Sequence, residues 1–188
     1  MPRNLLDMEI QETTIPGVLL LTPQKFIDAR GSFWETCNER LMRDAGLPTQ
    51  WKQDNTSVSF KNVVRGIHYQ VTEAQGKLVR VTYGAVFDVA VDLRRSSKTF
   101  GRHIAVELSE ENGAMLWIPP GYGHGFAVIS EKAGFAYKVT DYYSPSAERT
   151  ILWNDPELGI PWPVNEREAI VSAKDRQGSL FREAEVFP

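Results

Sequence analysis

From Trp51 onward the chain is a succession of short strand-forming runs, each closed by glycine, proline or polar turn residues. The runs cover 51–60, 63–71, 77–83, 85–93, 103–108, 115–118, 125–129 and 135–143. The gaps between them are too short for the crossover helices that a parallel sheet needs. The pattern therefore predicts an all-β sandwich or barrel. At 188 residues the chain fits one domain with a sizeable core, taken as 1–188. No repeat, low-complexity segment or linker interrupts it.

The N-terminal part is less regular. Residues 1–9 read as a loosely tied terminus. A buried strand is expected over 18–21, and the stretch 26–35 should turn at Arg30-Gly31 and re-enter a strand. The one helix expected from capping signals covers 38–45, with Asn38 as cap, Leu41, Met42 and Ala45 as its apolar side, and Gly46 as its stop. After Trp153-Asn154-Asp155-Pro156 the chain becomes proline-rich and irregular, which predicts a C-terminal arm wrapped around the barrel.

The 24 acidic residues against 21 basic ones argue against a nucleic-acid partner. No apolar run reaches a membrane span, and Met1-Pro2-Arg3-Asn4 does not open a signal peptide. The single cysteine, Cys37, excludes an intramolecular disulfide and a thiolate metal cluster. These features predict a soluble, cytoplasmic protein without nucleic-acid or membrane partners.

The chemistry concentrates in Val63-Val64-Arg65-Gly66-Ile67-His68-Tyr69-Gln70 and the following Gly76-Lys77-Leu78-Val79-Arg80-Val81. Strict alternation puts Val64, Gly66 and His68 on one face, and Lys77, Val79 and Val81 on one face of the next run. If Tyr83-Gly84 is a two-residue turn, Thr82 pairs with Ala85, Val79 with Asp88 and Lys77 with Ala90. Lys77, Val79, Val81, Val86, Asp88, Ala90 and Asp92 then line a lumen. Leu78, Phe87, Val89, Val91 and Leu93 form a second apolar face that needs a cover, and a second subunit is the simplest one.

A second motif is Pro119-Pro120-Gly121-Tyr122-Gly123-His124, where the turn should place His124 at the start of the next strand. This pattern resembles the second motif of cupin barrels. The metal cupins also carry His-x-His in their first motif, whereas this chain has His68-Tyr69-Gln70. Two histidines are too few for a firm metal site. His103, beside Arg102 and without a partner motif, reads as a surface residue.

An ordered set of further motifs spans about 26–175: Phe26-x-Asp28-x-Arg30-Gly31-x-Phe33-x-Glu35, Gln53-Asp54-Asn55, Arg65–Gln70, Gly76-Lys77, Phe87–Asp92, Tyr137-Lys138, Tyr143-x-Pro145, Trp153–Pro156 and Ser172-Ala173-Lys174-Asp175. As a set they resemble the dTDP-4-dehydrorhamnose 3,5-epimerase family, a metal-free branch of the cupins. The resemblance implies a cupin-type jelly-roll barrel, no cofactor and no metal. It also implies inversion of C3 and C5 in a nucleotide-linked 4-keto-6-deoxyhexose on the way to dTDP-rhamnose. It assigns His68 as base, Asp175 as its orienting carboxylate, Tyr137 as acid and Lys77 as the enolate's cation. It maps substrate binding onto Phe26, Arg30, Glu35, Gln53, Asn55, Arg65, His124 and Tyr143. It further implies a homodimer in which the segment 1–50 crosses to the partner, so that Phe26, Arg30 and Glu35 complete the neighbouring site. A single-centre epimerase, a 3,4-ketoisomerase, a non-catalytic sugar-nucleotide-binding cupin and a metal-dependent cupin oxygenase are the alternatives.

Overall fold

The structure, a computed structural model, describes residues 8–188. The expectation for residues 1–7 lies outside that range; Met8 and Glu9, expected to be loose, instead open strand β1 (Met8–Glu12). The remaining strands are β2 (Leu19–Pro23), β3 (Phe26–Asp28), β4 (Gly31–Phe33), β5 (Gln53–Phe60), β6 (Val63–Gln70), β7 (Lys77–Tyr83), β8 (Ala85–Asp92), β9 (His103–Ser109), β10 (Met115–Ile118), β11 (Tyr122–Val128), β12 (Lys132–Val139), β13 (Glu148–Thr150) and β14 (Ile170–Val171). Helix α1 (Glu39–Asp44) is capped by Asn38, whose side chain accepts from the amides of Arg40 and Leu41. Such a cap stabilises a helix by about 1 kcal/mol. Helix α2 (Ala173–Arg176) is a single turn in the C-terminal arm.

Two six-stranded sheets face each other as a jelly roll, in the orders β1-β2-β10-β7-β12-β5 and β13-β6-β11-β8-β9, the second completed by β14 beside β6. Between them lies a core of Val79, Val81, Leu116, Phe126 and Phe135, all buried. Each such side chain contributes about 1.5–3 kcal/mol by leaving water.

The expected β7–β8 hairpin does not form. β7 pairs with β10 and β12, and β8 pairs with β11 and β9, so the two strands sit in opposite sheets. The face assignment survives, because Val79, Val81, Val86 and Ala90 all point into the space between the sheets. Period-two alternation constrains which face a residue takes but says nothing about which strand pairs with which.

The cover for the second apolar face also differs from expectation. Val89, Val91 and Leu93 pack under Ile151, Leu158, Phe181 and Ala184. Phe87 meets Trp162. The chain's own arm therefore does what a second subunit was expected to do. Leu78 is covered separately, by Met42, Leu47, Met115 and Trp117. The arm is tied down by Asp155, whose carboxylate accepts from the amides of Glu157, Leu158 and Phe181. His103 is half-buried, with its pKa lowered by burial, so it is not the surface residue expected.

Alternation breaks in β6. Val64 faces the arm, among Trp153, Val164 and Val171, whereas His68 faces the opposite way into the barrel. Val64 and His68 thus do not share a face. The slip lies at Gly66, where the β6–β11 register shifts between His124 and Phe126. Gly66 has φ +114°, and a Cβ there would stand 2.5 Å from the Gly125 Cα. Only paired glycines allow that approach. Its consequence is that Arg65 and His68, three apart in sequence, both reach the same cavity.

Candidate active site

A cavity of about 240 Å³ opens between the sheets. β6 contributes Arg65 and His68 to its lining, β7 Lys77, β11 His124 and β12 Tyr137. His124 is the third residue of β11, inside the strand rather than at its start, and it stands directly opposite His68 across the ladder.

The His68 Nε2 lies 2.6 Å from Asp175 Oδ1. Asp175 comes from α2, whose N-cap Ser172 accepts from the Asp175 amide. The parallel pairing of Ile170 and Val171 with Val63 and Val64 brings that turn alongside β6. The second oxygen of Asp175 accepts from the Gly66 amide at 3.3 Å. Burial pushes the Asp175 carboxyl pKa up, but the hydrogen bond and charge of His68, with help from Gly66 and Lys174, hold it below the ordinary value. With Nε2–H donating to this carboxylate, the Nδ1 lone pair of His68 is left as a base.

Lys77 is buried, and burial lowers its ammonium pKa to about 8, although Glu148 and Asp88 oppose the shift. The side chain is therefore still charged at neutral pH, in a site where water screens it little. Burial raises the Tyr137 phenol, while Arg65 pulls it down and Glu148 pushes it up; the net shift is upward. Tyr137 is thus a proton donor at neutral pH rather than a phenolate. Arg65 is steadied by two hydrogen bonds from its guanidinium to Ser59 Oγ, at 3.1 and 3.0 Å. His124 donates from Nε2 to Oδ2 of the fully buried Asp88 carboxylate at 2.9 Å, and its ring stacks on Phe135.

Base, phenol, ammonium and guanidinium thus converge on one cavity, which suits abstraction and return of a proton beside a carbonyl. Among the described residues no group of three or more His, Cys, Asp or Glu side chains is arranged to hold a metal ion.

Of the remaining expected site residues, Tyr143 lines the cavity and donates its hydroxyl to Glu148 Oε2 at 2.7 Å. Gln53 accepts from the Tyr143 amide at the rim. Asn55 is half-buried on β5, opposite Tyr137, without lining the cavity. Phe26 and Arg30 lie elsewhere, on a separate cleft of the β3–β4 hairpin, where Arg30 pairs with Asp28 at 2.6 Å in an exposed position. Glu35 does not line the cavity either.

Sequence reasoning missed Glu148, which reaches the cavity and pairs with Lys174 at 2.5 Å. It also missed the Asp88–His124 pairing, although alternation had placed Asp88 on the inner face. Nothing in Ser146-Ala147-Glu148 marks that glutamate; a three-residue strand carries no periodicity to read.

The fold is a jelly-roll barrel whose cavity gathers His68, Lys77, His124 and Tyr137. The family model described as dTDP-4-dehydrorhamnose 3,5-epimerase matches residues 12–183. The chain is 52% identical to the dTDP-4-dehydrorhamnose 3,5-epimerase of Pseudomonas aeruginosa over 182 residues, covering 96% of this chain and 100% of that one. It is 50% identical to the enzyme of the same name from Salmonella typhimurium over 179 residues, covering 94% and 97%. The solved structure of the Legionella pneumophila dTDP-6-deoxy-D-glucose-3,5-epimerase in complex with dTDP-4-keto-L-rhamnose superposes with a TM-score of 0.91, at 44% identity and 95% coverage of both chains. The chain belongs to the dTDP-4-dehydrorhamnose 3,5-epimerase family.

Proposed function

We propose that the protein inverts C3 and C5 of dTDP-4-dehydro-6-deoxy-D-glucose to give dTDP-4-dehydro-L-rhamnose. The observation that carries this reading is the 2.6 Å His68–Asp175 pair aimed into a cavity that also holds Lys77 and Tyr137. Both target carbons flank the C4 ketone, so removing either proton gives an enolate. His68 takes the proton, and Asp175 holds its ring and stabilises the imidazolium that forms. Lys77, with His124 across from His68, stabilises the oxygen that becomes negative. Tyr137 returns a proton to the opposite face of the ring. Arg65, Gln53, Asn55 and Tyr143 hold the nucleotide half. The Legionella relative, whose structure contains dTDP-4-keto-L-rhamnose, carries the product expected here.

The reading includes a cytoplasmic homodimer whose subunits are single domains of residues 1–188. Phe26 and Arg30 on the β3–β4 hairpin, with Glu35 just after it, reach the partner's cavity, while β1, β2 and α1 stay packed on their own barrel. The motivation lies in the β3–β4 hairpin, where Ile27 is 79% and Phe33 65% exposed. Val58 and Phe60 on the outer face of β5 are exposed as well, and a partner would bury all four. Sedimentation at micromolar concentration tests this part: a fully active monomer would exclude it.

The test of the chemistry is NMR in deuterated water with dTDP-4-dehydro-6-deoxy-D-glucose. The native protein should exchange and invert both C3 and C5. Tyr137→Phe keeps the ring, so it should still wash in deuterium while forming little inverted product. Equal loss of exchange and inversion in Tyr137→Phe would remove Tyr137 as the opposite-face acid. Exchange at one carbon alone in the native protein would make it a single-centre epimerase.

A further inference from the structure

Between β12, which ends at Val139, and β13, which begins at Glu148, the chain crosses from one sheet to the other at the mouth of the cavity. Its backbone has left the strand ladders, so its amides and carbonyls need other partners. Three glutamines supply several of them. Gln75 Nε2 donates to the Asp141 carbonyl at 2.9 Å. Gln53 accepts from the Tyr143 amide. Gln70 makes two contacts: its Nε2 donates to the Tyr142 carbonyl at 3.2 Å, and its Oε1 accepts from the Ser144 amide at 2.9 Å. The same Nε2 donates to the Glu73 carbonyl at 2.8 Å. Gln53 belongs to one sheet and Gln70 to the other, so the crossing is held from both sides.

Gln70 is the centre of this arrangement. It is 4% exposed, and its amide brackets Tyr143 by binding the carbonyl before it and the amide after it. That bracket sets where the Tyr143 ring stands and keeps its hydroxyl 2.7 Å from Glu148 Oε2. Only a side chain with both a donor and an acceptor can do this. A carboxylate of the same shape would face the Tyr142 and Glu73 carbonyls with no proton to donate.

We propose that Gln70 is a positioning residue for the nucleotide half of the substrate, acting through the backbone of 142–144 on Tyr143. This rests on the assignment of Tyr143 to substrate binding given above. Gln70→Glu should weaken dTDP binding and raise KM for the dTDP-sugar by about tenfold, the effect of one or two buried hydrogen bonds. Gln70 also lines the cavity, so kcat is read on Gln70→Met, which adds no charge there, and it should stay within about threefold. A general folding defect would instead reduce the active fraction and fall on kcat. Because both act through one ring, Gln70→Glu and Tyr143→Ala should not multiply, and the double variant should bind dTDP no worse than Tyr143→Ala alone.

The experiment is calorimetric titration with dTDP and steady-state kinetics on Gln70→Glu, Gln70→Met, Tyr143→Ala and the double variant. Gln70→Met, uncharged and of similar length, also stands in for the binding measurement if Gln70→Glu does not fold, with the same expected outcome. If Tyr143→Ala leaves Kd and KM unchanged, the assignment of Tyr143 fails and the inference fails with it. If Tyr143→Ala weakens binding but the Gln70 variants do not, or if their effects multiply, the inference alone is overturned.

Discussion

Two histidine–aspartate pairs face each other across the β6–β11 ladder, and they are built differently. His68 meets a carboxylate brought from 107 residues away by the C-terminal arm, and both oxygens of Asp175 are occupied, one by His68 and one by the Gly66 amide. His124 meets Asp88 from the adjacent strand, and Asp88 Oδ1 is buried without a hydrogen-bond partner among the described residues. The His68 side chain is 29% exposed and that of His124 10%. Lys77 is buried within reach of the Asp88 charge. A satisfied carboxylate beside a reachable imidazole suits a proton that comes and goes. A buried carboxylate beside a buried imidazole and an ammonium suits a charge that must stay in place.

The largest expected effect follows from that contrast. His68→Ala should lower turnover by about 10²–10⁴-fold and stop solvent exchange, because general-base catalysis contributes that much. His124→Ala should cost less and slow exchange and inversion together, as loss of an oxyanion donor does. Equal losses in single-turnover measurements would erase the distinction between the two pairs.

Lys77→Met should cost about 10²–10³-fold in kcat, with exchange and inversion again falling together. It also has a stability signature. The folded-state pKa near 8 lies below the ordinary 10.5, so between those values the unfolded chain holds a proton that the folded one lacks. Native stability should therefore gain from this group as pH rises through about 8 to 10.5. Urea titrations of both proteins across that range should show the gain in the native protein only.

Asp175→Asn should cost about 10²-fold in kcat, at the low end of general-base effects, while dTDP affinity stays near native. A matched loss of dTDP binding would mean that Asp175 builds the pocket rather than orienting the base.

The smallest effect is on acid stability. Asp175 has a folded pKa below its ordinary value, so its contribution is complete above about pH 4 and is lost as pH falls through the folded value. The stability difference between the native protein and Asp175→Asn should narrow over that descent. Asp92, the last residue of β8, provides a reference. Burial raises its pKa, but hydrogen bonds from Arg94, Ser97 and Thr99 outweigh burial and bring it to about 2. Its contribution should persist down to about pH 2.

The sequence by itself determined the strand content, the capped helix and the inward faces of β7 and β8, because these follow from local propensity, capping chemistry and period-two alternation. Family motifs carried in order along the chain also marked His68, Asp175, Tyr137 and Lys77. The tertiary structure alone decided which strands pair, since alternation is blind to partners, and so it replaced the expected β7–β8 hairpin by two facing sheets. It alone decided that the C-terminal arm, and not a second subunit, covers Val89, Val91 and Leu93, because an irregular proline-rich segment shows no period to reveal what it lies against. It moved His68 to the face opposite Val64 through a register slip at Gly66 that depends on Gly125, 59 positions away in sequence. A contact between two glycines is a property of the folded pair, and neither residue signals it alone.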